Sequence, residues 1–269
     1  MGHGHDGHAA SATGWALFEA AAAAVLVCAA VGYAVALWAA RDRSPWPRRR
    51  TAAWYAGLAC VAIGLIGPLA AAAHSSFTAH MAAHLALGMA GPLLLVLGAP
   101  VTLALRALPV SRARALTRLL RTPYVWVITH PVVAAVLNAG GLWLLYTTLL
   151  YPMMHISVLL HAVIHAHIVL AGYLFTASLI GPDPDPHRTS MTVRSVVLIV
   201  FIAAHSVLAK WLYAHPPAGV DAADGRRGAQ LMYYGGDAVD VVLIVLLFAG
   251  WYAASRPREP LAPVPASGS

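Results

Sequence analysis

Histidine is the residue whose placement in this chain most suggests chemistry. His80 and His84 stand four residues apart with Met81 between them, and His161 and His165 repeat the spacing further on. At 3.6 residues per turn, each pair presents both imidazoles on one helical face. His205, Asp237 and Asp240 lie in or at the edge of apolar stretches, and His74, Met153, Met154, His155, His215 and Met232 flank such stretches. An imidazole-rich run, His3, His5, Asp6 and His8, opens the chain. Imidazole suits copper, zinc and iron, thioether sulfur selects Cu(I), and a carboxylate completes or charge-balances such a site. The mixture fits copper best, with His80, Met81, His84, His161, His165, His205 and Asp237 as candidate ligands.

Each of these residues also has a plainer reading. His205 alone reads equally well as a hydrogen-bonding packing residue, and each methionine alone as packing. His167 lies about 200° round the helix from His165 and is expected to face elsewhere. His130, before Pro131 and far from the other histidines, reads as structural. Cys28 and Cys60 sit in apolar stretches without metal-ligand spacing and read as small hydrophobes. Four paired imidazoles in apolar surroundings are harder to explain without a ligand, because ionisable groups are costly in lipid.

The elements that position them follow from composition. Of 269 residues, 60% are hydrophobic and 10% charged, and the mean hydropathy is +0.71. That charge fraction is less than half of what a soluble globular chain carries, so the chain is read as an integral membrane protein. A helix of roughly 20 apolar residues crosses a bilayer, and seven such stretches are predicted, near 15–40, 52–73, 79–105, 124–149, 155–180, 193–213 and 236–255. Gly91-Pro92 and Gly98-Ala99-Pro100 are expected to bend or break the third, or make it re-entrant.

The fold expected is therefore all-α and polytopic, with seven transmembrane helices over 15–255. A His-rich extracytoplasmic segment, 1–14, precedes them, and a disordered cytoplasmic tail, 256–269, follows. The formal net charge of +7 resides mostly in Arg41 to Arg50, Arg106 to Arg121, Arg188, Arg194, Arg256 and Arg258. With seven spans these fall on one side, which places the N-terminus outside and the C-terminus inside. The paired histidines then occupy the outer half of the bundle. The same distribution reads as topology rather than a nucleic-acid patch. No basic segment with a short apolar stretch opens the chain, so no cleaved signal peptide is expected. Nucleophile-elbow, zinc-protease, Walker and dinucleotide-binding motifs are missing from the sequence, and no enzymatic activity is expected.

The order of motifs resembles a known family. His80-Met81-Ala82-Ala83-His84, followed by Gly91-Pro92-Leu93-Leu94-Leu95-Val96-Leu97-Gly98-Ala99-Pro100, is similar to the signature of the CtaG-type, caa3-associated cytochrome c oxidase assembly factors. His130-Pro131, His161 and His165 leading into Gly172-Tyr173-Leu174-Phe175, then Gly181-Pro182-Asp183-Pro184 and His205, follow in that family's order. The aspartate in Gly235-Gly236-Asp237-Ala238-Val239-Asp240 matches as well, although the glutamines common in the family are missing. The resemblance implies a multi-pass assembly factor in the bacterial cytoplasmic membrane that helps mature a haem–copper oxidase. Its partners would be apo-cytochrome c oxidase subunits and the lipid bilayer, with a homo-oligomer left open. Two alternatives stand beside it: a haem-binding electron carrier with His axial ligands, and a copper transporter, which the scarcity of polar groups in the inner half disfavours.

Overall fold

The computed structural model describes residues 3–43 and 45–255, with side chains from residue 13 onward. The side chains of His3, His5, Asp6 and His8, and the tail from residue 256, lie outside the described residues. Those described form helices, with no strand among them.

Six helical stretches are long and apolar enough to cross a membrane. They are Thr13–Ala39 within α1 (His3–Ala39); α2 (Arg48–Leu65) with α3 (Pro68–Ala72); Phe77–Ala107; α11 (Val158–Ile180); α12 (Met191–Ala214); and α13 (Ala222–Ser255). A seventh is obtained if α8 (Pro123–Thr129) and α9 (Pro131–Thr147), bent by 57°, are one span. The bend falls at His130, where Pro131 removes a donor and holds the preceding residue extended, with φ −66° and ψ 129°. His130 Nδ1 accepts from the Val132 amide at 3.3 Å and so caps α9. Two short helices, α7 (Val110–Leu120) and α10 (Leu150–Ile156), connect spans. Outward faces carry exposed Val25, Val31, Ile199, Val200 and Val245, an arrangement suited to lipid as solvent.

The stretch Phe77–Ala107 is the most buried of the spans. It comprises α4 (Phe77–Leu85), a π-helical turn (Ala86–Ala90), α5 (Gly91–Leu97) and α6 (Pro100–Ala107). It is continuous through Gly91-Pro92. Pro92 lacks the amide that would bond the Gly88 carbonyl four residues earlier, and the π turn absorbs the mismatch. The chain breaks instead at Ala99, which adopts a left-handed conformation with φ 50° and ψ 55°. The Gly98 carbonyl beside it accepts from Tyr33 Oη at 2.9 Å, and that hydroxyl accepts from Trp46 Nε1 at 3.1 Å.

Neighbouring spans reach this central one through glycines. A Cβ at Gly57 of α2 would meet the Leu95 amide nitrogen at 2.8 Å, one at Gly172 of α11 would collide with the Gly88 carbonyl, and one at Gly228 of α13 with the Phe77 ring. Small residues at helix crossings permit the close backbone approach that stabilises bundles in lipid.

Carboxylates from other parts of the chain grip two of the central span's helix starts. Asp224, at the start of α13, accepts from the Phe77 amide at 2.6 Å, Thr78 Oγ1 at 2.6 Å and Ser76 Oγ at 3.2 Å. Asp183, after α11, accepts from the Thr102 amide at 2.7 Å and Thr102 Oγ1 at 2.6 Å, capping α6. These bonds satisfy orphan donors of helix first turns and favour a negative charge there. Replacing Asp224 by Ala is expected to cost about 1–2 kcal/mol, the range for lost caps and charge-assisted bonds. A thermal melt in detergent should show a lower Tm than for the parent chain. An unchanged midpoint would mean that the carboxylate does not hold α4.

Candidate functional site

Asp224 fixes the start of α4, and that start sets the depth of the histidines which follow. His80 lies one turn in and His84 two, at 5% and 3% exposure. His161 and His165 occupy the first two turns of α11, which begins at a Ser157 cap accepting from the Leu160 amide. His80, His161 and His165 line one small cavity together with His74, His155, Gly64, Ala70 and Ala73. Its volume is about 10 Å³, space for one water or one ion.

The rings around it are in mutual contact. His161 and His165 lie 4.0 Å apart between centres, His74 and His161 5.5 Å, His74 and His155 5.7 Å, and His80 and His155 6.0 Å. His165 Nδ1–H donates to the His161 carbonyl at 2.9 Å, which leaves the Nε2 lone pair free to face a ligand. His161 Nδ1 and both His155 nitrogens are buried without a hydrogen-bond partner. His80 Nε2 is bonded to Tyr146 Oη at 3.0 Å, and that hydroxyl lies 3.9 Å from Met81 Sδ. The Met81 thioether, fully buried, is therefore turned towards Tyr146. Trp15 of α1 packs edge-on against His74 and His161, at 4.8 and 4.9 Å, and Phe18 against His161 at 5.1 Å. Trp15, by its position in the sequence an interfacial anchor, thus also covers the cavity.

His84 does not line this cavity. Its ring lies parallel to that of His205 on α12, 6.3 Å between centres. On α13 the structure buries Asp240 at 2% exposure with both oxygens unpartnered, whereas Asp237 is half-buried. His167 points away as expected, its Nε2–H donating to the Leu137 carbonyl at 3.0 Å. Of the candidates, His80, His161 and His165 thus gather with His74 and His155 around the cavity, while His84 pairs with His205 of α12 further along. Among the described residues no three His, Cys, Asp or Glu side chains stand close enough together to hold a metal ion.

His74 and His155, which the sequence places beside the apolar stretches but outside the i, i+4 pairs, line the cavity with the paired histidines. Nothing in the sequence signals the bond between His80 and Tyr146, which joins residues 66 apart.

A helical bundle able to cross a membrane six or seven times, with imidazoles gathered towards one end, defines a polytopic membrane protein with a candidate ligand site. Residues 31–254 match the family described as cytochrome c oxidase caa3 assembly factors, and the chain belongs to that family. It is 36% identical over 197 residues to an uncharacterized protein of Mycobacterium bovis and, to the same degree, to one of Mycobacterium tuberculosis, covering 70% of this chain and 30% of theirs. An uncharacterized protein of Mycobacterium leprae is 29% identical over 264 residues, 87% of this chain and 39% of that protein. The chain thus spans between 30% and 39% of the length of these curated relatives. No solved structure matches it.

The half-buried His155 makes one consequence measurable. Burial first, and the adjacent His74 second, hold its pKa below the ordinary imidazole range. The unfolded chain accepts a proton there near pH 6.5 that the folded chain resists, so stability is complete above that pH and is lost as pH falls towards the folded value. His155→Gln is expected to flatten the dependence of Tm on pH between about 7 and 5. An identical slope would show that His155 takes no part in it.

Proposed function

We propose that this chain is a non-enzymatic assembly factor that takes up copper on the outer side of a bacterial cytoplasmic membrane and holds it for maturation of a cytochrome c oxidase. Its partners are apo-oxidase subunits and the bilayer. The observation that carries the copper reading is the ring of five imidazoles, His74, His80, His155, His161 and His165, around a cavity of about 10 Å³. Imidazole nitrogen suits copper, and unpartnered nitrogens on His155 and His161 are donors without another use. A second-layer carbonyl orients His165 in the manner of metal-ligating histidines. The rings are flanked by tyrosine and tryptophan rather than by a nucleophile with its base. Family membership supports the assembly role, and the arginine-rich connections support an outside N-terminus and an inside C-terminus. The cavity admits an ion and not a porphyrin, which favours copper over the haem reading.

The test is to purify the full chain, load it with Cu(I) under reducing conditions and count copper per chain, alongside oxidase activity in cells that depend on it. The double variant His155→Gln, His161→Gln is expected to lose copper from this site while remaining folded in the membrane, and to lower oxidase activity by at least about tenfold, as loss of metal-site groups commonly does. Full copper retention would overturn the assignment. A Soret band in the purified chain would favour haem instead.

A further inference from the structure

Further along α4 from the five-imidazole cavity lies a group of polar side chains that the outer site does not use. His84 and His205 are 3% and 2% exposed, with ring centres 6.3 Å apart and planes 23° apart. Both His84 nitrogens and His205 Nε2 are buried without a partner. Asp240 is 2% exposed and neither of its oxygens is bonded. Gly236, one turn before it on the same face of α13, lies against the His205 ring so closely that a Cβ there would collide with it. Asp240 therefore stands on the face of α13 turned towards α12. Gly88 gives His84 similar room, since a Cβ there would stand 3.3 Å from His84 Cε1. A π-helical turn, a feature that recurs at functional sites, begins two residues after His84.

Buried polar groups without partners are costly, and more so in a membrane interior. Three such side chains, on three packed helices and with Asp240 one turn from the residue that touches His205, point to a ligand that satisfies them. We propose that His84 and His205 form a second, inner site that holds Cu(I) between two imidazoles, with Asp240 as its counter-charge.

The dimensions agree. With metal–nitrogen distances of about 2 Å and each lone pair in its ring plane, two imidazoles turned edge to edge towards one ion have centres roughly 6 Å apart, a spacing the 6.3 Å between His84 and His205 allows. Charge selects the oxidation state. One carboxylate neutralises one monovalent cation, whereas a divalent ion would leave a net charge deep in the bundle. Donor type excludes sodium and potassium, which prefer oxygen, while imidazole suits copper. Asp240 need not ligate to serve this role, which accords with the lack of a three-ligand group among the described residues. Passage from the outer site is ligand exchange over about one helical turn, from His80 to His84, with copper remaining Cu(I) and no electron transferred. The route of entry rests on the copper reading of the outer site; the inner site itself does not.

The experiment uses the full chain in detergent, loaded anaerobically with Cu(I), competed against a Cu(I) chelator and analysed for copper per chain, with Tm recorded for every variant. The parent chain is expected to retain two ions. The pair His84→Gln, His205→Gln removes one ion and the outer pair His155→Gln, His161→Gln removes the other. Asp240→Asn, which preserves shape, is expected to weaken the inner ion by at least about tenfold, the effect typical of an outer-shell partner, and it remains informative if the double variant fails to fold. An inner ion unaffected by Asp240→Asn would overturn the proposal, as would Zn(II) held at His84 and His205 as firmly as copper. One ion that survives the inner substitutions and disappears with the outer ones overturns the inner site alone. One ion lost in either variant means a single shared site and overturns the two-site arrangement. Absence of copper from the parent chain overturns both sites.

Discussion

The central span is held in a fixed register by close contact. In lipid, helices gain little from excluding apolar surface from water, so association depends on backbone proximity and polar ties. This chain supplies both. Gly57, Gly172 and Gly228 bring three neighbours against Phe77–Ala107 where any side chain would collide. Asp224 and Asp183 then fix its axial position, binding the first turns of α4 and α6. A slip of one residue would turn His80 and His84 about 100° round the helix, away from both α11 and α12. The donors of the site are thus positioned by contacts that have no chemistry of their own.

That precision matters because the imidazoles are poorly served by the protein around them. Buried polar groups ordinarily find partners, yet His84, His155, His161, His205 and Asp240 retain buried atoms that have none. Such groups lower the stability of the bundle, and chains that keep them place them where function needs an unsatisfied donor. The contrast with His130, His165 and His167 is informative. His130 caps a helix, and the other two bond carbonyls. Of these three, only His165 lines the cavity, and its carbonyl bond orients the ring while leaving the second nitrogen for use.

Much of the fold was legible in the sequence, because apolar length alone identifies spans and i, i+4 spacing alone puts His80 with His84 and His161 with His165 on shared faces. The finer arrangement was not. A helical face has angular width, and His80 and His84 use it to meet different partners, one beside α11 and the other beside α12. The aspartate is a similar case. Asp237 and Asp240 are equally near the start of an apolar run, but only Asp240 lies on the face set by Gly236 against His205. The break was anticipated at two glycine-proline sites. It occurs at one, because a π turn can absorb a missing hydrogen bond where α11 packs closely alongside, whereas left-handed Ala99 ends the helix outright.

The first helix adds the last element of the arrangement. α1 is the most peripheral span, its Val25, Val27, Val31 and Val35 exposed on the outside of the bundle. Towards its C-terminal end it is secured by Tyr33, which bonds the Gly98 carbonyl and stacks on Trp54 at 4.9 Å. At the other end Trp15 and Phe18 rest on His74 and His161 through ring edges. Edge contacts of this kind contribute about 1 kcal/mol each. One helix thus joins two parts of the bundle, bonding the break between α5 and α6 through Tyr33 and laying aromatic rings on the imidazoles through Trp15 and Phe18.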